Sequence, residues 1–222
     1  MRIRSYIIAY ALVLAIVLFA DRRPSSSSQG RYSRVIDLTA AQVSKSPTDA
    51  STTRIIAPGS LIPGTWTAGQ IPSERLVAPL IVLDLNVAAD NQNPQISLDD
   101  IARWEAQHGM IPQGAVVAIR RKPSAAEGSK ENKILSRPFP ISRDAAMFLI
   151  EARYTIGFAV ETPTDFSSDR PLSQQLALHG DYVVENATSF TSLPDLGSLI
   201  IVAPAKNKRP DSAPVRVLAM VK

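Results

Sequence analysis

Three apolar runs, Leu76 to Leu85, Ala115 to Ile119 and Ile156 to Val160, are separated by two stretches that contain helix-start signals at Ser97 and Ser142. No other feature restricts the fold as strongly. Short apolar runs rich in branched residues read as buried strands. Ser97-Leu98-Asp99-Asp100 is a capping box with Asp in place of Glu or Gln, and its acids suit the positive end of a helix dipole. Leu98, Ile101, Ala102 and Glu105 continue at helical spacing until Gly109 stops the helix. Ser142 caps a second helix running to Arg153, with Ala145, Ala146, Phe148, Leu149 and Ala152 on its buried face. Strands alternating with few helices predict an α/β domain, a mixed sheet with flanking helices.

The rest of the chain fits one such domain, which 222 residues are enough to build. Arg34 to Thr39, Tyr182 to Val184, Leu199 to Ala203 and Pro214 to Ala219 have strand character, and Pro171 to His179 reads as a short helix. Ala41 to Thr52 is polar and reads as a loop, and the charged Arg120 to Arg137 segment as a solvated one. Residues 1–20, with Met1-Arg2-Ile3-Arg4 before an apolar run from Tyr6 to Ala20, read as a signal peptide or an uncleaved signal anchor. Either places the domain outside the cytoplasm, and any membrane contact is through this segment alone. Residues 21–32, with Ser25 to Ser28 and Gly30, form a flexible linker, and the folded domain spans 33–222. The net charge of +4 is concentrated in Arg2, Arg4, Arg22, Arg23, Arg31 and Arg34, so the near-neutral body gives no reason to expect a nucleic-acid partner. The absence of cysteine excludes disulfides, thiolate metal sites and cysteine nucleophiles.

Thr53, Pro58, Ile62-Pro63-Gly64 and the run Ile71-Pro72-Ser73-Glu74-Arg75-Leu76-Val77-Ala78-Pro79 form a frame. This frame resembles the signature of the cyclase family, the metal-dependent hydrolases that include bacterial kynurenine formamidase. There the segment reads H-x-G-T-H-x-D-x-P-x-H, then a Pro-Gly turn and I-P-x-E-R-L-V-x-P. Arg34 to Thr39, the Ser97 helix with its His108-Gly109 end, Glu161-Thr162-Pro163-Thr164 and the closing Pro214 to Ala219 resemble the family in order. The resemblance implies a swivelling β/β/α fold, a homo-oligomer, and amide or ester hydrolysis with zinc or another divalent metal. It also gives the Arg120 to Arg137 segment a place at the mouth of the site.

The ligand positions depart from that pattern. With Pro58 on the motif's proline, Ala50, Arg54, Ile56 and Ser60 replace His, His, Asp and His. Ser173 stands twelve residues before Glu185, where a ligand His belongs; Glu185 alone keeps its identity. His108 and His179 read as ordinary helix-end or surface residues. A catalytic zinc needs about three protein ligands, so no cofactor is expected. Neither Ser60 nor Ser173 has a base placed by motif, Glu161 and Asp165 read as turn residues rather than a catalytic pair, and Asn186-Ala187-Thr188 fits the glycosylation pattern. The candidate ligand-binding residues are Arg54, Ser60, Trp66, Ser173 and Glu185, with an Arg54–Glu185 ion pair expected in place of the metal. Three functions follow: a pseudoenzyme holding a small molecule or partner in the former cleft, an active hydrolase of the arylformamidase type with a rearranged site, or a structural subunit of an active paralogue.

Overall fold

In the protein's structure, a computed structural model, the apolar runs become strands that are covered on both sides. It describes residues 32–40, 52–86, 94–122, 137–206 and 213–222, without the side chains of 137, 138 and 168. The expected leader, nearly all of the linker, the 41–51 loop and residues 123–136 lie outside these.

Strands β3 (Val77–Asn86), β4 (Val116–Lys122), β6 (Gly157–Val160) and β8 (Tyr182–Glu185) lie side by side and parallel. Three helices, α2 (Leu98–His108), α3 (Arg143–Ala152) and α4 (Arg170–His179), follow β3, β4 and β6 in the chain. The sheet does not stay open. Strand β8 pairs antiparallel with the short β2 (Arg54–Ile56), β2 with β10 (Ala213–Val221), β10 with β9 (Ser198–Pro204), and β9 with β3. Among the described residues, seven strands of the expected mixed sheet thus close into a barrel, with helices against its parallel half. Strand β10 makes this possible by offering one edge to β9 and sharing the other between β2 and β1 (Arg34–Asp37). A small separate pair joins β5 (Arg137–Pro138) to β7 (Thr164–Asp165).

Alternate residues of each barrel strand serve two cores. Leu80, Val82, Val116, Ala118, Ala159 and Val184 fill the interior, whereas Ile81, Leu83, Val117, Phe158 and Val183 meet the helices outside. Continuous apolar sequence is what burial on both faces demands. Strand β10 has one dry face only, so its buried Val215, Val217 and Ala219 alternate with less buried positions. Helix α2 keeps the expected capping box and docks by an indole hydrogen bond from Trp104 Nε1 to the Val82 carbonyl at 2.9 Å.

Two readings change. On α3 the buried stripe is Ala145, Ala146, Leu149 and Ile150, while Ala152 is exposed and the half-buried Phe148 ring lies under the Arg153 guanidinium. That i, i+1, i+4, i+5 stripe is the narrower face a helix presents to a sheet. The charged segment does not leave the fold at Arg120 either. Strand β4 continues through Lys122, because Arg120 is paired inward with Asp84 and Asp195 at 2.6 and 2.7 Å.

Gly157 is fixed by contact. A Cβ there would sit 2.8 Å from the Tyr182 carbonyl oxygen and 3.0 Å from its ring, so β6 can approach β8 only without one. Gly157→Ala is expected to cost about 1–3 kcal/mol, as overpacking does. Urea melts of the two proteins should show a lower midpoint with unchanged slope.

Candidate functional site

Glu185 ends β8, the first residue past the tightest stretch of the parallel sheet, and Arg54 opens β2 directly opposite it in the antiparallel register. Register partners share a face. Ile56 and Val183 belong to the outer core, so Arg54 and Glu185 point to the helix side of the barrel wall. Glu185 is 4% exposed. Its Oε1 accepts the Thr164 amide at 2.8 Å and a short hydrogen bond from the Thr164 hydroxyl. Burial pushes the Glu185 carboxyl above its ordinary value, against the Thr164 bonds and the Arg54 charge that pull it down.

The expected ion pair is not formed. Among the described residues no hydrogen bond or ion pair joins Arg54 to Glu185, and the guanidinium acts on the carboxyl only through its charge. Thr164 takes the acceptor instead. Its backbone is already positioned by the β5–β7 pair, so the bond costs little ordering, whereas an arginine must freeze a long side chain. Thr164 was the site residue that sequence left hidden, since Thr162-Pro163-Thr164 resembles any turn. The signal was there in the matched Glu161-to-Thr164 motif.

The other candidates divide between two places. Ser60 is exposed on α1 (Pro58–Leu61), which packs against α4, the helix of the buried Ser173. The Ser173 hydroxyl donates to the Arg170 carbonyl at 2.9 Å within its own helix. Trp66 goes elsewhere. Its carbonyl accepts the Gly59 amide at 2.7 Å, and its ring lies against Gly180, beyond the start of β8 and at the far end of that strand from Glu185. There Arg75, from the signature run, sits 5.7 Å from the Trp66 ring and donates to Gly180 O and Asp181 Oδ1. The signature's Arg75 is a strap, not a site residue.

Neighbouring candidates have structural duties. Thr53 accepts the Ala40 amide and donates to the Asn186 carbonyl, both at 2.7 Å, tying β2 to its neighbours. Buried Asn186 donates its side-chain amide to the Thr52 carbonyl, so it is not a presented glycosylation acceptor. Glu161 accepts the Arg121 amide at 3.0 Å, and burial raises its carboxyl. Asp165 caps Ser167 and is held below the usual carboxylate range by those bonds. His108 Nδ1 meets the Trp104 carbonyl at 2.9 Å and its ring stacks on Trp104, while His179 is exposed at the end of α4.

The site therefore has one carboxylate, already engaged by two donors, facing a guanidinium. Among the described residues, no group of three or more His, Cys, Asp or Glu side chains converges as metal ligands. This donor set does not suit a divalent cation, which a neighbouring positive charge would also repel.

The family model described as putative cyclase matches residues 19–165. The chain belongs to that family. It is 28% identical over 161 residues to isatin hydrolase of Roseibium aggregatum, a match that covers 67% of this chain and 61% of that protein. The aligned stretch thus spans less than two-thirds of the relative. Among solved structures, isatin hydrolase A from Labrenzia aggregata bound to benzyl benzoate is 26% identical with a TM-score of 0.63, covering 86% of this chain and 85% of that one. A potential metal-dependent hydrolase with cyclase activity gives a TM-score of 0.62 at 24% identity over 85% of this chain and 98% of that one, a likeness of fold alone. The cyclase-family domain is therefore isatin hydrolase-like, a mixed α/β barrel with Glu185 at the end of a parallel strand.

Proposed function

We propose that this protein is a cyclase-family pseudoenzyme that binds a small molecule in the cleft where its relatives hydrolyse theirs. One observation carries the reading: a guanidinium, Arg54, stands directly across β2 and β8 from the family's acidic position, with Thr164 satisfying the carboxyl. The geometry offers recognition without an activated water. The domain keeps the swivelling β/β/α architecture, for which the barrel with helices against its parallel half is the support. Its sequence further favours export through residues 1–20, and the family resemblance implies a homo-oligomeric state.

Elemental analysis after dialysis against a mild chelator, together with a panel of small amides and esters, tests the reading. Less than about 0.1 divalent metal per chain and no turnover above buffer are expected. About one metal per chain, or hydrolysis abolished by Glu185→Gln, would instead establish an active hydrolase. Stoichiometric capture of a catalytically competent paralogue in the native host would place the domain as a structural subunit.

A further inference from the structure

We infer that Arg54 is the anion-binding residue of this cleft, and that the ligand is a small carboxylate with an apolar body. The inference rests on the cleft-binding reading above and names the ligand class.

Arg54 is half-buried on the helix-facing side of β2, and among the described residues its guanidinium has no hydrogen-bond or ion-pair partner. The cationic groups of Arg75, Arg120, Arg143, Arg153 and Arg216 all close on acidic side chains. The acid closest at hand does not pair with Arg54. Glu185 is turned to Thr164, so the guanidinium across the register is left without a carboxylate partner. A guanidinium fork offers two parallel donors, which match a carboxylate better than any neutral group.

The flanks are apolar. Ile56 lies two residues from Arg54 on the same face of β2, Leu61 follows Ser60 on α1, and Phe166 lies two residues after Thr164. All three are partly buried against the outer core rather than sealed within it. A charged anchor set among such side chains is how small-molecule sites fix orientation while drawing affinity from apolar contact.

Isothermal titration of the full chain with benzoate, phenylacetate and cyclohexanecarboxylate, each beside its primary amide, tests this. The carboxylates are expected to bind at least about tenfold more tightly than the amides, the difference one desolvated charge-assisted pair supplies. Arg54→Gln should erase that preference and Arg54→Lys should keep part of it. Because the Arg54 guanidinium makes no bond within the described fold, the melting temperature of Arg54→Gln should match the parent, which separates lost binding from lost folding. Equal binding of acids and amides, or a preference that survives Arg54→Gln, overturns the assignment and leaves the cleft reading standing. No saturable binding by any of the six overturns the cleft reading itself and this inference with it.

Discussion

Replacing Arg120 by alanine is expected to lower the stability of the domain by about 3 kcal/mol, the low end of the range for breaking a buried ion pair from one side. Leu80 and Val82, and Val116 and Ala118, point into the barrel, and Asp84 and Arg120 are the next inward-facing partners in that register. The end of the barrel is therefore stoppered by charge instead of by methyl groups. Arg120 Nε donates to Asp84 Oδ1 at 2.6 Å, Nη2 to Asp195 Oδ1 at 2.7 Å, and Nη1 to the Leu193 carbonyl at 2.9 Å. Lys122 adds a second cation to Asp84. With 11% of the Arg120 side chain exposed but 37% of that of Asp195, water relieves part of the loss, hence the low end of the range. Alanine would leave Asp195 and the Leu193 carbonyl without the guanidinium and Asp84 with Lys122 alone, and the shift in midpoint should be roughly 6–12 °C for a domain of this size. The double change with Asp195→Ala should recover part of the loss, since one stranded charge is removed with it. A loss below about 1 kcal/mol in urea unfolding would show that the network is solvated and idle. Carboxylate binding should survive, because the stopper faces the interior whereas Arg54 faces the helices.

Arg120 also shows where sequence reading reached its limit. A charge run after an apolar strand has the same composition whether it leaves the fold or plugs a barrel, and only Asp84 and Asp195, 36 and 75 residues away, decide which. The elements that depend on local pattern were legible: the Ser97 and Ser142 caps, the fully buried β3, β4 and β6, and the alternating β10. The family frame was legible as well, and with it Glu185 and Arg54 as facing positions. Closure was not, because it rests on β10 serving three partners at once, a property of edges rather than of side chains. Within the site, sequence named the two charged residues but paired them with each other. Thr164, a turn residue with an unremarkable side chain, holds the carboxyl because its amide is already aimed. Trp66 stood among the site candidates, yet its ring lies at the Arg75 strap, against Gly180.

That strap carries the second large expectation, a stability that falls as pH rises toward neutrality. Asp181 is fully buried at the junction of α4 and β8. Its Oδ1 lies 3.4 Å from Arg75 Nη2, a long contact, and its Oδ2 and Arg75 Nε are buried with no partner among the described residues. Burial pushes the carboxyl up to about 7 from an ordinary 3.8, and the charge of Arg75 offsets only part of that. The folded state therefore holds a proton between roughly pH 4 and 7 that the unfolded chain has released. Where the native state binds more protons, stability declines with rising pH, here by up to about 1.4 kcal/mol per unit, and levels off above the folded value. The carboxyls of Asp37, Asp84, Glu105 and Asp169 are shifted the other way, so what they contribute is lost only as the solution becomes acid enough to protonate them, below this window. Glu161 and Glu185 are raised like Asp181 and will leave some slope behind. Asp181→Asn isolates the one group: the amide keeps the shape and cannot ionise, and Arg75 retains the Gly180 carbonyl at 3.1 Å. Unfolding free energies measured from pH 4 to 8 should lie closest for the two proteins at pH 4 and diverge in favour of the variant up to about pH 7. Curves that stay parallel across that window would mean that Asp181 is ionised in the folded state throughout, and that the 3.4 Å contact with Arg75 is a working ion pair after all.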